Sequence, residues 1–335
     1  MQNEGSVAVI GAGMAGLACA NVLHAAGLRV TLFDKGRRPG GRLATRRSGD
    51  FAFDHGAQFA TARGERFRDF LSAAGDQVAA WDAAEPHPRW VGVPGMSTLA
   101  GVAERRGVGT QHLHRQVTFL NRQPDGWHIR HQDAAAIRPG TVAEAGERAG
   151  PYGRVVLALP APQATGLLQV CGHPFASAAG AVVMEPCWAV MLGFAGRQPG
   201  ADRRTLDEKP AEEQEPDQPF SWIARDSSRP GHAARPDCWV GHAGPGWSRR
   251  HLEHEADAVS IGLQSAFARV TGITAQPTYA AVHRWRHART LAPLGQPCLW
   301  DDAGLAVCGD WCLGGKVESA FDSGSAAAGM VLSAG

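Results

Sequence analysis

The order of apolar and polar positions at the start of the chain predicts a strand, a helix and a second strand. Val7-Ala8-Val9-Ile10 is an unbroken apolar, β-branched run, the pattern of a strand covered on both faces. Ala15, Cys19, Val22 and Ala26 then recur at helical spacing, and Gly27 is placed to end that helix. Val30-Thr31-Leu32-Phe33 resumes the strand pattern. A strand, helix and strand this closely spaced make a parallel βαβ unit.

Further along, residues 63–80 place Phe67, Phe70, Leu71 and Val78 on or near one helical face, which predicts a helix leaving the first domain to begin a cap. Residues 81–90 read as irregular. Residues 116–120 and 127–130 read as two strands joined by Gln123-Pro124-Asp125-Gly126, which has hairpin turn chemistry. Residues 133–150, rich in Ala, Gly and Glu, read as a variable loop. Residues 154–159 form an apolar strand stopped by Pro160. Residues 187–194, 220–225, 238–242 and 278–285 read as strands of one sheet, with a helix over 251–270 packed on it. The polar stretch 197–219 reads as a surface loop without chemistry. Leu305-Ala306-Val307-Cys308 is a last strand, and small residues after Gly314-Gly315 open a last helix.

The fold class expected is α/β: a Rossmann-like nucleotide domain from 1–62, 91–160 and 290–335, with a second α+β substrate domain from 63–90 and 161–289. A chain of 335 residues is long enough for both. Its 33 basic and 32 acidic residues nearly cancel, so charge gives no argument for a nucleic-acid partner. Nothing in the pattern reads as an export signal or a bilayer span, so the expectation is a cytoplasmic protein without a membrane partner. The seven cysteines are scattered and read as reduced packing thiols. Cys308 with Cys312, and His251 with His254 and Glu255, lack familiar zinc spacing, so no metal is expected.

Chemistry concentrates at the first turn. Gly11, Gly13 and Gly16 permit a tight turn, bare backbone against a pyrophosphate, and close helix-to-sheet packing, while the helix start at Met14 and Ala15 points unpaired N–H groups at the phosphates. Asp34 ends the second strand about twenty residues beyond the glycines, where a carboxylate accepts ribose hydroxyls. A carboxylate there disfavours a 2′-phosphate, so FAD or NAD is preferred over NADP. Lys35 follows it. In Arg38-Pro39-Gly40-Gly41-Arg42, Gly41 lets the chain pass close to a cofactor and Arg42 can answer pyrophosphate charge.

That segment, at its distance after the acid, resembles the second motif of the FAD-dependent oxidoreductases that include monoamine oxidases, phytoene desaturases and renalases. His55-Gly56-Ala57-Gln58 resembles their next FAD-contacting loop, and Met96-Ser97 after Gly95 resembles a turn of the amine-oxidase-like members. The resemblance is sharper in Ser221-Trp222-Ile223-Ala224-Arg225, Cys238-Trp239-Val240-Gly241-His242 and His283-Arg284-Trp285-Arg286-His287, which together look like the bacterial renalase group. It implies an amine oxidase or p-hydroxybenzoate hydroxylase-like topology and a non-covalent FAD. Implied FAD contacts include Val117 at the adenine, which reads equally well as core, Asp310 at the ribityl chain, and Val317, Glu318 and Ala320 at the start of the last helix.

The activity implied is hydride removal from 2- or 6-dihydro isomers of NAD(P), with electrons passed to O2 to form H2O2. Substrate-side candidates are Gln58, Arg225, His242, Trp285 and Arg286, with none assigned as acid or base. A hydride leaving a dihydropyridine produces an aromatic cation directly, so no base is required. Amine or amino-acid oxidation on the same scaffold stays open, although residues 283–286 carry no lysine where amine oxidases often place one. A flavoprotein reduced by NAD(P)H without oxidase activity is the third reading.

Overall fold

The computed structural model describes residues 5–81, 88–138, 142–205, 219–232 and 236–334. Ser6–Ile10 forms the centre of a six-stranded sheet, in the order Leu299–Trp300, Leu305–Val307, Arg154–Leu157, Ser6–Ile10, Arg29–Phe33 and Thr110–His112. All neighbours are parallel except the outer pair, where Leu299–Trp300 runs antiparallel to Leu305–Val307. Val7, Val9, Val156 and Leu157 are fully buried, as a sheet covered on both faces requires.

Met14–Ala25 is the helix predicted after the first strand, and the last helix, Val317–Ser333, packs along it. Gly16 is needed there because a Cβ at this position would overlap the Gly11 carbonyl oxygen and come within 3.2 Å of the Ala158 side chain. The hairpin Arg115–Gln123 with Gly126–Asp133 turns at the expected residues. The expected loop 133–150 is different: Glu147–Tyr152 is a third strand of that hairpin's sheet, and 139–141 lie outside the described residues.

The helix expected over 63–80 is shorter. It spans Glu65–Ser72, followed by a strand Val78–Ala80 paired with Trp90–Gly92. Phe67, Phe70, Leu71 and Val78 share one core with the first helix and Phe321 of the last, so this segment packs on the nucleotide domain and does not begin a cap. Residues 82–87 of the stretch expected to be irregular lie outside the described residues.

The second domain is a five-stranded antiparallel sheet, in the order Arg203–Thr205, Phe220–Arg225, Asp237–Ala243, Met184–Phe194 and Tyr279–Thr290. Ala256–Thr271 covers one face, where Trp188, Val190, Leu192 and Trp239 meet Leu263 and Phe267. The other face turns toward the nucleotide domain. Cys187 pairs with Trp285, and Ala189 with both His283 and His242, which puts these five side chains on one face of the pleat. The greater part of the expected loop 197–219, residues 206–218, lies outside the described residues. No helix among the described residues is long and apolar enough to cross a membrane.

Candidate functional site

Two helix starts converge on one cavity. Gly13, Met14 and Ala15 at the start of the first helix, and Lys316, Val317 and Ala320 at the start of the last, line a cavity of about 270 Å³. Neither helix has a side-chain cap, so the leading N–H groups and the positive dipole ends are left to whatever occupies the space. Cys187, Ser221, His242 and Trp285 form the opposite wall, so the cavity lies between the two domains. A larger groove continues from it past Gly11, Asp34, Lys35, Gly41 and Val117.

The residues present fit an FAD. A Cβ on Gly13 would meet no protein atom within 4 Å, so the protein itself does not require glycine there. A ligand drawn tight against the backbone would. Asp34 accepts N–H bonds of 2.6 Å from Ala12 and Gly36, one on each oxygen, which leaves acceptor capacity on both for ribose hydroxyls. The flavin end of the cofactor would lie in the cavity and its adenosine end in the groove.

Arg42 and Asp310, read from the sequence as separate cofactor contacts, bind one another. Arg42 Nη1 donates to Asp310 Oδ2 at 2.9 Å and Nη2 to Oδ1 at 2.6 Å, and Nη1 also reaches the Ala288 carbonyl at 3.2 Å. The Nε–H and one Nη2–H remain for a phosphate.

His55 and Glu318 depart from their expected roles. His55 is buried behind the cavity wall: its carbonyl accepts from Trp285 Nε1 at 2.8 Å and from His242 Nε2 at 3.0 Å, and its ring stacks on Trp285. Glu318 is buried and turned away from the cavity, with Oε1 accepting from the backbone of Arg63 at 2.8 Å and Gly64 at 2.6 Å. Gly56 and Ala57, between His55 and Gln58, do line the cavity.

Among the five substrate-side candidates the fold brings three together: Gln58, His242 and Trp285 all line the cavity. Arg225 does not. It is fully buried in the second domain, donating to Asp237 at 2.5 Å and Asp202 at 2.7 Å, with its guanidinium 4.5 Å from the Trp239 ring centre. Arg286 lines the outer groove and is held by Glu253 at 2.5 Å and 2.8 Å. Both arginines do structural work that a motif cannot distinguish from ligand binding.

Sequence reading missed Cys187, Ser221 and Lys316, which also line the cavity. Burial pushes the Cys187 thiol up to about 12, so it is a neutral wall group. Burial holds the His242 imidazole down to about 4, and burial with the neighbouring His283 and His242 holds His55 down to about 3, so both rings are neutral at pH 7. Behind Gln58 sits a buried ionic cluster. Arg229 meets Asp226 at 2.5 Å and lies 3.8 Å from Asp54, whose own carboxyl is pushed up to about 6 by burial and by Asp226.

Residues 9–74 match the sequence signature of an NAD(P)-binding Rossmann-like domain. The chain carries a Rossmann-like dinucleotide-binding domain. Beyond it, the whole fold is similar to the crystal structure of a protein from Exiguobacterium sp. 255-15 provisionally named as a protoporphyrinogen oxidase. The TM-score is 0.74 at 13% identity, over 98% of each chain. The likeness is one of fold, in this chain a Rossmann-like domain joined to a second domain built on an antiparallel sheet.

Proposed function

We propose that this protein is an FAD-dependent oxidase of dihydronicotinamide isomers, the 2- or 6-dihydro forms of NAD(P), with NAD(P)+ and H2O2 as products and O2 as acceptor. The observation that carries the reading is the cavity between the two uncapped helix starts and the face bearing Gln58, His242 and Trp285. Bound FAD would supply a hydride acceptor and a route for the electrons to O2. The dihydro isomer loses one hydride, and with one proton from solvent the two electrons reduce O2 to H2O2.

The chain's own residues bind and orient. Trp285 offers a flat apolar wall, fixed by its hydrogen bond to the His55 carbonyl. The neutral His242 and Cys187 add no charge to repel a pyridinium as it forms. A base is not needed, because the product ring gains aromaticity when hydride leaves. The work left is proximity and exclusion of wrongly placed isomers.

Lys316 on the cavity wall favours a second reading, oxidation of an amine. One experiment separates the two. The FAD-reconstituted protein is mixed anaerobically with 6-dihydro-NAD, NADH and phenethylamine, and flavin bleaching is followed by stopped flow. The proposal expects 6-dihydro-NAD to be fastest by far. Faster reduction by phenethylamine would establish the amine reading, and rapid reduction by NADH would point to a flavoprotein that uses NADH as its donor.

A further inference from the structure

Gln58 is held at both ends. Its backbone carbonyl accepts from Arg229 Nη1, and Arg229 is itself fixed by Asp226 at 2.5 Å and by the Trp81 ring, 4.2 Å from its guanidinium carbon. Its side-chain amide meets His242 Nδ1. A buried ionic cluster and a buried imidazole thus converge on one uncharged side chain at the cavity wall.

The imidazole decides which way that amide points. His242 is buried, and its Nε2 faces the His55 carbonyl oxygen at 3.0 Å. A carbonyl can only accept, so Nε2 carries the proton. A neutral ring has one N–H, so Nδ1 presents a lone pair and accepts in turn. Burial keeps the ring neutral, with Arg229 acting in the same direction against the His55 carbonyl and Asp226. Gln58 must therefore turn its amino group to His242 and its Oε1 away. Among the described residues nothing donates to Oε1, and Gln58 lines the cavity.

We infer that Gln58 is a specificity residue, a carbonyl acceptor locked in one orientation by His242, which selects ligands carrying an N–H donor. In the dihydronicotinamide reading, on which this inference rests for the identity of the ligand, that donor is the ring carboxamide. His242 is a positioning residue and acts through Gln58. A site built to bond an N–H rejects an isostere lacking it more strongly than an apolar wall could.

The test uses the FAD-reconstituted protein at pH 7.5 and two ligands, nicotinamide and methyl nicotinate, which share the ring and carbonyl but differ in the N–H donors. Calorimetric titration of the unaltered protein is expected to show nicotinamide bound about tenfold more tightly. Gln58→Leu is expected to abolish that preference. His242→Phe is expected to shrink it although Gln58 is still present, a change in ratio that a general loosening of the fold would not produce. Equal binding of the two ligands by the unaltered protein, or a preference that survives in Gln58→Leu, overturns the inference and leaves the FAD reading intact. Binding of neither ligand overturns the dihydronicotinamide reading as well.

Discussion

Arg42 and Asp310 join two parts of the chain 268 residues apart, through parallel hydrogen bonds of 2.9 Å and 2.6 Å at the mouth of the cavity. The segment after the second strand is thereby tied to the start of the C-terminal segment, and both helix starts are held in one frame. Asp310 is nearly buried, whereas the Arg42 side chain keeps 29% of its surface exposed toward the groove.

Removing the acid is expected to act on stability and on cofactor binding together. Asp310→Ala leaves Arg42 with the Ala288 carbonyl but without its carboxylate, and a charge-assisted bidentate contact of this kind is worth about 2 kcal/mol. Urea unfolding of the cofactor-free protein should show a loss of that order, and FAD titration a weaker complex, because Arg42 loses its orientation.

Two neighbouring glycines should behave in opposite ways. Gly13→Ala places its methyl in open space, so unfolding of the cofactor-free protein should change by less than about 0.5 kcal/mol. Its FAD dissociation constant should nonetheless rise at least about tenfold, because the methyl meets the pyrophosphate. Gly16→Ala drives the methyl into the Gly11 carbonyl and should lose about 3 kcal/mol or more before any ligand is added. Unchanged FAD affinity in Gly13→Ala would falsify the placement of the phosphates.

Asp54 should leave a signature in the pH dependence of stability. Its folded value of about 6 lies above the usual carboxylate range, so its contribution is full below about pH 4 and is lost as pH rises through about 6. His55 and His242 are shifted the other way, to about 3 and about 4. Their contribution is present above about pH 6.5 and is lost as pH falls below it. Between pH 4 and 6 the two imidazoles outweigh the single carboxyl, and stability should rise with pH. Asp54→Asn removes the opposing group, so the rise should steepen by as much as about 1.4 kcal/mol per pH unit. Urea unfolding of both proteins from pH 4.5 to 8 checks this; parallel curves would show that Asp54 does not titrate there.

Arg225 should prove structural. Arg225→Met strands Asp237, which is 5% exposed, without its cation, and unfolding should lose about 3 kcal/mol or more. The ratio of nicotinamide to methyl nicotinate affinity should be the same as in the unaltered protein, since Arg225 does not line the cavity. A changed ratio would return it to the substrate side.

The nucleotide-binding half was legible because its signals are local. Strand, glycines, helix, strand and acid all fall within residues 7–34, and each is required by backbone geometry alone. The hairpin at Gln123 to Gly126 was legible for the same reason. The short helix Glu65–Ser72 was overread because Val78 continues its apolar spacing by chance, while in the fold it belongs to a strand paired with Gly92.

The cavity wall of the second domain was hidden by its own burial. Residues 187–194 are apolar or small at nearly every position, because one sheet face packs on the helix Ala256–Thr271 and the other on the nucleotide domain. With both faces covered, the period of two that would reveal a cavity face disappears. Only register settles it, by setting Cys187 beside Trp285 and Ala189 beside His242.

By itself, then, the order of residues determined a dinucleotide site and the strands of a second domain, since φ/ψ restrictions and hydrophobic period act over a few neighbours. The tertiary structure decided what each polar group does. Arg225 and Arg42 are alike in a sequence, yet one is sealed among Asp237, Asp202 and Trp239 and the other reaches the cavity. Whether a charge binds a ligand or a neighbour depends on which distant side chains the fold brings within hydrogen-bond reach.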